Sequence, residues 1–199
     1  MSMTPELQRL MDNVRVNAPG VIDASIKLEL FNTMNTFFRE TNIWQEEIDF
    51  LTETDVRSYD IVPTGVATIN RPMYTKNADN VPVSSTMPVP GTVVLAFDPA
   101  GDETLTAVVA LTVSDPTTRD EYPEYPDWVL VKHYQTMLAG TLSALFAQIA
   151  KPYSNERMAI YNGRKFRAGM SQARVEGQHG HLYRGQNWAF PFFAGRRSS

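Results

Sequence analysis

The longest regular pattern of apolar residues in the chain runs from Trp128 to Ala150. Apolar side chains recur there at steps of three and four, which places them on one face of an α-helix about six turns long. That face consists of Val131, Tyr134, Leu138, Leu142, Leu145 and Ile149. Because Pro126 and Asp127 suit the first turn of a helix, the pattern predicts a helix over residues 127–150.

A second helix is predicted directly after the first. Pro152 ends the long helix, and Ser154 is a suitable N-cap for a helix over residues 155–175. The few residues between them allow only a tight turn, so we expect the two helices to pack antiparallel. Small side chains recur every four residues in the long helix and would let its partner approach closely; they are Ala139, Ser143 and Ala147.

Two more helices are predicted near the N-terminus. Thr4 and Pro5 favour the start of a short helix over residues 4–15. An Ala-Pro-Gly break at residues 18–20 separates it from a helix over residues 22–40. The apolar stripe of that second helix is wide enough to contact more than one neighbour.

The period of the pattern changes to two at Ile43, and residues 43–113 are predicted to form a β region. Apolar and polar side chains alternate from Trp44 to Phe50, as in a half-buried strand. Turn residues between the expected strands predict two hairpins, with turns at 63–65 and 98–102. The proline-containing stretch 77–91 is expected to be a long loop or a projecting β-arm. The other four strands are expected over residues 58–62, 66–74, 92–97 and 104–113.

Together these elements predict an α+β fold. The four helices from the two ends of the chain are expected to form a four-helix bundle, with one antiparallel sheet of about five strands inserted between them. Residues 1–177 would form a single domain, and residues 178–199 an extended C-terminal arm. At 199 residues, one domain is the default expectation.

Charge is distributed very unevenly along the chain. Residues 1–150 carry nine Lys or Arg and twenty Asp or Glu, for a net charge of −11, whereas the remaining residues carry nine and two, for a net charge of +7. The overall net charge of −4 conceals this division. A basic C-terminal quarter on an acidic body indicates an acidic partner, either nucleic acid or a carboxylate-rich protein surface.

The basic residues of the last helix are predicted to share one side. At about 100° per residue, its four arginines fall within an arc of about 100°, apart from the residues expected to pack. They are Arg157, Arg164, Arg167 and Arg174. The arm that follows is glycine-rich, lacks acidic residues and carries several large aromatics. Because such aromatics are costly to leave in water, we interpret them as anchors for another surface.

Catalytic and metal-binding patterns are largely missing from the sequence. The chain has no cysteine, which excludes disulfides, thiolate metal sites and a cysteine nucleophile. His179 and His181 are too few for a metal site, and Glu46 and Glu47 point to opposite faces of a strand. Phosphate-loop, GxSxG and HExxH motifs are also absent from the sequence. We therefore expect a protein that is not an enzyme and uses no metal or cofactor.

Neither a membrane span nor a signal peptide is expected. No apolar run reaches the roughly eighteen residues that a span requires, and the first ten residues lack the apolar core of a signal peptide. Nucleic-acid binding remains a serious alternative, because arginines, glycines and aromatics in one arm suit phosphate neutralisation and base stacking. A peptide that anchors in a protein groove explains the same composition.

Two stretches resemble the head-to-tail adaptor, or neck, proteins of tailed bacteriophages. The first is LELFNTMNTFFRETNIWQEEI, residues 28–48. The second, more specific one spans residues 127–174, where a long helix is followed by KPYSN and then by a helix with aromatic and basic residues. The resemblance covers both helical ends of the chain and is weak across residues 55–120.

The resemblance implies a structural virion protein. Such adaptors assemble as a ring, usually a dodecamer, between the portal protein and a tail or nozzle protein, and help to retain the packaged DNA. By this resemblance the protein would occupy the neck of the virion and, during assembly, the cytoplasm of the bacterial host. Some adaptors have been credited with peptidoglycan hydrolysis, for which this sequence offers no convincing acid/base pair.

The resemblance also assigns roles to residues of this chain. The arm would dock on the portal through aromatic anchors and arginine charge partners. The arginines of the last helix would meet either the acidic body of a neighbouring subunit or the DNA-filled lumen. The residues assigned to the arm are Tyr183, Arg184, Trp188, Phe190, Phe192, Phe193, Arg196 and Arg197.

Overall fold

The computed structural model describes residues 4–114 and 125–178 and shows an α+β fold. This part of the chain contains five helices and two antiparallel sheets. The helices are α1 (Pro5–Asn17), α2 (Asp23–Thr41), α3 (Asp127–Lys132), α4 (Tyr134–Ala147) and α5 (Glu156–Gln178). The strands are β1 (Gln45–Leu51), β2 (Ser58–Asp60), β3 (Thr68–Asn77), β4 (Pro82–Val83), β5 (Ser85–Val89), β6 (Thr92–Leu95) and β7 (Thr104–Thr112).

The single long helix predicted over residues 127–150 is wrong. The backbone leaves the helical conformation at His133, with φ −112° and ψ 24°, so α3 and α4 are separate helices. The imidazole of His133 packs against the rings of Phe37 and Trp128, 5.2 and 6.1 Å away between centroids. Val131 of α3 and Ile149, which lies beyond the end of α4, are not in the core as predicted: they are 69% and 90% exposed.

The antiparallel packing of α4 and α5 is confirmed. Ser143 donates a hydrogen bond to the carbonyl of Ala159 across 2.8 Å, and further along the pair Gly169 lies against the side chain of Thr136. The predicted N-cap Ser154 is wrong. Its hydroxyl instead accepts from the backbone N–H of Lys151 in the turn, and Asn155 caps α5 by accepting from the N–H of Met158.

The predicted four-helix bundle with one inserted sheet is also wrong. The helix expected to complete the bundle divides into two, and α2 contacts β7 as well as α4 and α5. The apolar stripe of α2 is therefore shared between helices and a sheet. The strands form two sheets rather than one: a four-stranded sheet of order β1-β7-β3-β4 and a three-stranded sheet of order β2-β6-β5.

The two predicted hairpins are not formed. The turns at 63–65 and 98–102 join strands of different sheets, β2 to β3 and β6 to β7. The hairpins that do form are β3-β4 and β5-β6, so part of the stretch 77–91 pairs as strands. Strand β7 lies in the middle of the first sheet, and its residues from Ala107 to Thr112 are buried on both faces, which explains the apolar sequence there.

Two hydrophobic clusters make up the core of the described residues. One cluster joins the helices, and the other lies between the two sheets, where residues such as Val93 and Val109 meet. The indole of Trp44 packs against both clusters. Trp44 lies between α2 and β1, so it connects the helical layer to the sheets at the point where the chain passes from one to the other.

Candidate functional site

Helix α5 packs on the rest of the molecule through one side only. Ala159, Asn162 and Ala173 are buried on that side. The four arginines that the sequence analysis singled out are all exposed on the other side: Arg157, Arg164, Arg167 and Arg174. The predicted division of this helix into a packing face and a basic face therefore agrees with the burial of its side chains.

Arg174 differs from the other three arginines because it is bound within its own chain. Its guanidinium forms an ion pair with the carboxylate of Glu40 at 3.0 Å and donates a second hydrogen bond to the Glu40 carbonyl at 2.9 Å. This contact fastens α5 to the C-terminal end of α2. Sequence reasoning could not find it, because 134 positions separate the two residues.

Arg157, Arg164 and Arg167 form no ion pair with any residue of the described segments 4–114 and 125–178. Exposed apolar groups lie beside them: Ile160 is 49% exposed and Tyr161 is 51% exposed. At about 100° per residue, Ile160 falls between Arg164 and Arg167 around the helix. We call Arg157, Ile160, Tyr161, Arg164 and Arg167 the α5 outer face.

The α5 outer face continues into a further cation. The ammonium group of Lys165 lies 4.5 Å from the centroid of the Tyr161 ring, a cation–π contact. Glu156, at the start of the helix, is the exposed acid nearest to the face along α5. A surface with several cations and exposed apolar groups can bind anionic and apolar groups of a partner together.

The last turn of α5 is held firmly against the rest of the chain. Gly177 packs so closely on the α2-β1 junction that an added Cβ would lie 2.7 Å from the carbonyl oxygen of Thr41. The side-chain amide of Gln45 donates to the carbonyls of Gly177, at 2.7 Å, and Asn42, at 2.9 Å. These contacts fix the place from which the chain continues beyond Gln178.

An ion pair supports the same helix end from the other side. The carboxylate of Glu176 lies 2.8 Å from the Lys132 ammonium and 3.6 Å from Nε2 of His133. His133 is thus a packed residue at the α3-α4 bend. The Gly177 contact and the Gln45 hydrogen bonds were missed, because both depend on how α5 packs on a part of the chain that is distant in sequence.

On one face of the first sheet, β1 and β3 carry exposed side chains on either side of the largely buried strand β7. In the β1-β7 and β3-β7 registers, Glu47 lies opposite Val108 and Asp49 opposite Thr106. Opposite residues of paired strands share a face, so the open side of this sheet combines β1, β7 and β3. We call the following residues the open sheet face: Glu47, Asp49, Leu51, Arg71 and Tyr74, which are exposed, and Lys76, which is partly buried.

The open sheet face carries acids and cations in equal number, because Arg71, opposite Ala110, joins Lys76 on this side of the sheet. The ammonium of Lys76 forms an ion pair with Glu47 at 2.9 Å, and the Thr106 hydroxyl donates to Asp49 at 2.6 Å. The hydrogen bond with Glu47 is the main reason why the pKa of Lys76 lies above its ordinary value. The prediction that Glu46 and Glu47 diverge is confirmed, since Glu46 instead accepts from the N–H of Thr64.

The predicted C-terminal arm cannot be placed. Its residues lie outside the described residues, as do His179 and His181 of the HxH pair. The arm residues concerned are Tyr183, Arg184, Trp188, Phe190, Phe192, Phe193, Arg196 and Arg197. Within the two described segments, no three His, Asp or Glu side chains are grouped so that they could hold a metal ion, and no helix there is both long and apolar enough to cross a bilayer.

Comparison of the chain with protein-family models and with curated proteins gives no match.

Proposed function

We propose that this protein is a head-to-tail adaptor of a tailed bacteriophage, which assembles as a ring under the portal, connects it to the tail and helps to retain packaged DNA. The observation that carries the proposal is the α5 outer face. Three arginines there lack an acidic partner among the described residues, and Ile160 and Tyr161 are exposed between and beside them. Such a surface gains most from a large partner with acidic and apolar groups.

The distribution of charge supports assembly from many identical copies. Residues 1–150 carry a net charge of −11 and residues 151–199 one of +7, so a basic surface of one copy complements an acidic surface of another. Surfaces that differ in this way make heterologous contacts, and these close into a ring when the rotation between copies permits. The resemblance to adaptor proteins independently implies a ring.

The anchored end of α5 supports a docking role for the residues that follow it. Gly177 is held by the Gln45 amide and by close packing on the α2-β1 junction. A segment that starts from a fixed point is presented to its partner at a higher effective concentration than one on a free helix end. The resemblance assigns portal docking to this segment.

A second candidate function is nucleic-acid binding. The same observation favours it, because Arg157, Arg164 and Arg167 could neutralise phosphates as well as carboxylates. This function would act through the basic C-terminal arm together with α5. Its signature is an affinity for free DNA that falls steeply as salt concentration rises.

The proposal is tested by co-sedimentation with purified portal rings. We expect the wild-type protein to sediment with portal, and the double variant Trp188→Ala/Phe192→Ala to bind more weakly by about 2 kcal/mol for each true anchor. Phe97→Ala is the matched control, since Phe97 is a partly exposed aromatic of the sheet region and should leave portal binding unchanged. Circular dichroism would verify that each variant folds.

Two results of this experiment contradict the proposal. One is that wild-type protein fails to sediment with portal while it retards DNA with steep salt dependence, which favours the nucleic-acid function. The other is unfolding of the Trp188→Ala/Phe192→Ala variant, which would place these aromatics in the core and remove them as docking anchors.

A further inference from the structure

We propose that the cavity at the C-terminal ends of α2 and α5 is a phosphate-binding site. Its ligand is a phosphate group, presented either as a free phosphate or on the backbone of DNA. The cavity has a volume of about 470 Å³, and strand β3 forms its third side. The inference goes beyond the proposed function, because it concerns a single chain and holds whether or not a ring forms.

The cavity has an excess of positive charge. The guanidinium groups of Arg39, Arg71 and Arg174 line it, against the single carboxylate of Glu40. Glu40 is already paired with Arg174 at 3.0 Å. Arg39 and Arg71 form no ion pair with any residue of segments 4–114 and 125–178. A phosphate group carries up to two negative charges and accepts paired N–H donors from guanidinium groups, so it matches these two cations.

The end of α2 does not by itself account for Arg39 and Arg71. Unbonded carbonyl groups at a helix C-terminus attract cations, but two carbonyls of this last turn already accept hydrogen bonds from other side chains. Asn70 donates to the carbonyl of Arg39 at 3.3 Å, and Arg174 donates to the carbonyl of Glu40 at 2.9 Å. The guanidinium groups of Arg39 and Arg71 take part in neither bond and remain available to a ligand.

The register of the first sheet brings Arg71 close to the last turn of α5. Arg71 and Gln45 both lie opposite Ala110, one on each side of β7, so the three residues form a row across one face of the sheet. The Gln45 amide donates to the carbonyl of Gly177 at 2.7 Å, which fixes α5 at the end of this row. The cavity is therefore built on elements that are held together within the chain.

Irregular pairing in β3 supports a site at this position. The register of β3 against β7 shifts twice, at Asn70 and at Met73. Asn70 binds the end of α2, and Met73 lines the cavity. Bulges of this kind re-aim side chains and are frequent beside binding sites. Arg71, which lies between the two shifts, is placed at the cavity by this local geometry.

The chain that continues from the cavity adds no acidic side chain. Gln178, the last described residue of α5, lines the cavity. Residues 177–199 contain three arginines and neither Asp nor Glu. This segment therefore cannot supply a carboxylate side chain to Arg39 or Arg71, which favours a separate anion as their partner.

Titration of the full-length protein with inorganic phosphate, followed by amide NMR at constant ionic strength, tests the site. We expect the amide signals of residues 39–42, 71, 73 and 174–178 to shift. Arg39→Gln and Arg71→Gln should each raise the dissociation constant about tenfold, because each removes a charge-assisted contact. Arg57→Gln is the matched control, since Arg57 is an exposed arginine beside the second sheet, and it should leave the dissociation constant unchanged.

A second probe identifies the source of the phosphate. A short duplex DNA without terminal phosphates is titrated under the same conditions. If backbone phosphates are the ligand, the duplex should shift the same amide signals and displace inorganic phosphate. If inorganic phosphate binds and the duplex does not displace it, a free phosphate is the ligand. Either result, together with weaker binding by Arg71→Gln, supports the site.

Three results would overturn the inference. One is that neither inorganic phosphate nor the duplex shifts these amide signals. Another is an equal dissociation constant for wild type and Arg71→Gln, which would place the phosphate elsewhere on the protein. The third is that sodium acetate shifts the same signals at lower concentration than phosphate does, which would assign the cavity to carboxylates. None of these measurements uses portal rings, so their failure is distinct from a failure of the proposed function.

Discussion

Gly140 shows how a single residue controls the distance between helices. An added Cβ there would lie 2.4 Å from a methyl carbon of Thr33 and 2.8 Å from the ring of Phe166. We expect Gly140→Ala to lower the free energy of unfolding by about 1–3 kcal/mol, because overpacking outweighs the gain in helix propensity of about 1 kcal/mol. Urea denaturation measures this change.

The substitution Gly163→Ala serves as the control for Gly140→Ala. At Gly163 an added Cβ would meet one atom, the Ser143 hydroxyl oxygen, at 3.0 Å. Moving that hydroxyl would weaken its hydrogen bond to the Ala159 carbonyl, but a single contact at 3.0 Å is milder than the contacts at 2.4 and 2.8 Å at Gly140, so Gly163→Ala should cost less. A Gly140→Ala variant as stable as the wild type would show that α2, α4 and α5 are not packed as closely as described.

A second prediction about a single residue concerns Asn155. Its side-chain oxygen caps α5 by accepting from the N–H of Met158 at 3.1 Å. Asn155→Ala should reduce stability by about 1 kcal/mol, whereas Asn155→Ser should keep most of it, because serine is also a good N-cap. Equal stability of both variants in thermal unfolding would contradict the assignment.

The start of α5 shows how far the sequence can predict the role of a single residue. Ser154 and Asn155 are both suitable caps, so the helix start was predicted to within one residue while the capping residue was wrong. The structure decides between them, because the Ser154 hydroxyl is already engaged with the Lys151 N–H in the turn. Likewise the exposure of Arg174 was predictable, but its ion pair with Glu40 depends on tertiary packing.

Some secondary-structure elements could be predicted from the sequence more accurately than others. Helix and strand positions follow from apolar periodicity, and β7 in particular shows, from Ala107 to Thr112, the apolar sequence of a strand buried on both faces. The bend at His133 has no local signal, because neither glycine nor proline occurs there; at the bend the imidazole packs on Phe37 and Trp128. Turn residues predicted reversals of the chain at 63–65 and 98–102 but could not indicate which sheet the next strand joins.

The end of α5 offers a test at the scale of an element. Gly177→Ala would push a Cβ to within 2.7 Å of the Thr41 carbonyl oxygen and should detach the last turn from the α2-β1 junction. We expect faster hydrogen exchange of the amides at 173–178, with little change in the core strands. Gln178→Ala, at an exposed position, is the control. Unchanged exchange in Gly177→Ala would contradict the proposed anchoring of this helix end.

The exposed ion pair between Arg57 and Asp98 joins two segments that flank strands of the second sheet. Arg57 precedes β2 and Asp98 follows β6, and the hydrogen-bonded guanidinium holds the pKa of the Asp98 carboxyl below its ordinary value. Arg57→Gln should return that pKa to the usual range of about 3.9, as measured by a carboxyl NMR titration. An unchanged pKa would mean that the pair does not persist in solution.

The direction of the pH dependence follows from this shift. Since the pKa of Asp98 is lower in the folded state, the stabilising contribution is present above the unfolded-state pKa and is lost as the pH falls through the folded-state value. The difference in urea midpoint between wild type and Arg57→Gln should therefore exist at neutral pH and disappear in strong acid. The pair is fully exposed, so salt should also weaken it.

At the scale of the whole molecule, the fold class was predicted but the architecture was wrong. An α+β chain with helices at both ends suggested a bundle with one inserted sheet, whereas the described residues form five helices and two sheets joined at Trp44. The sequence could not show that α2 divides its apolar stripe between helices and β7, because a wide stripe does not identify its neighbours.

The basic side of α5 and the open sheet face differ in how far they could be predicted from the sequence. The basic side of α5 follows from helical periodicity alone. The open sheet face does not, since it depends on the register that places Glu47 and Asp49 of β1 beside Lys76 of β3 across β7. The ring and its portal docking remain proposals that the basic side of α5 and the resemblance support.

The most direct test of the adaptor function is the mass of portal rings after incubation with the full-length protein, measured by native mass spectrometry. We predict that each portal ring gains one complete set of copies, a whole ring, with few partly loaded species because neighbouring copies stabilise one another. No added mass, or a random distribution of one or two bound copies per ring, would contradict the proposal that this chain forms a ring beneath a portal.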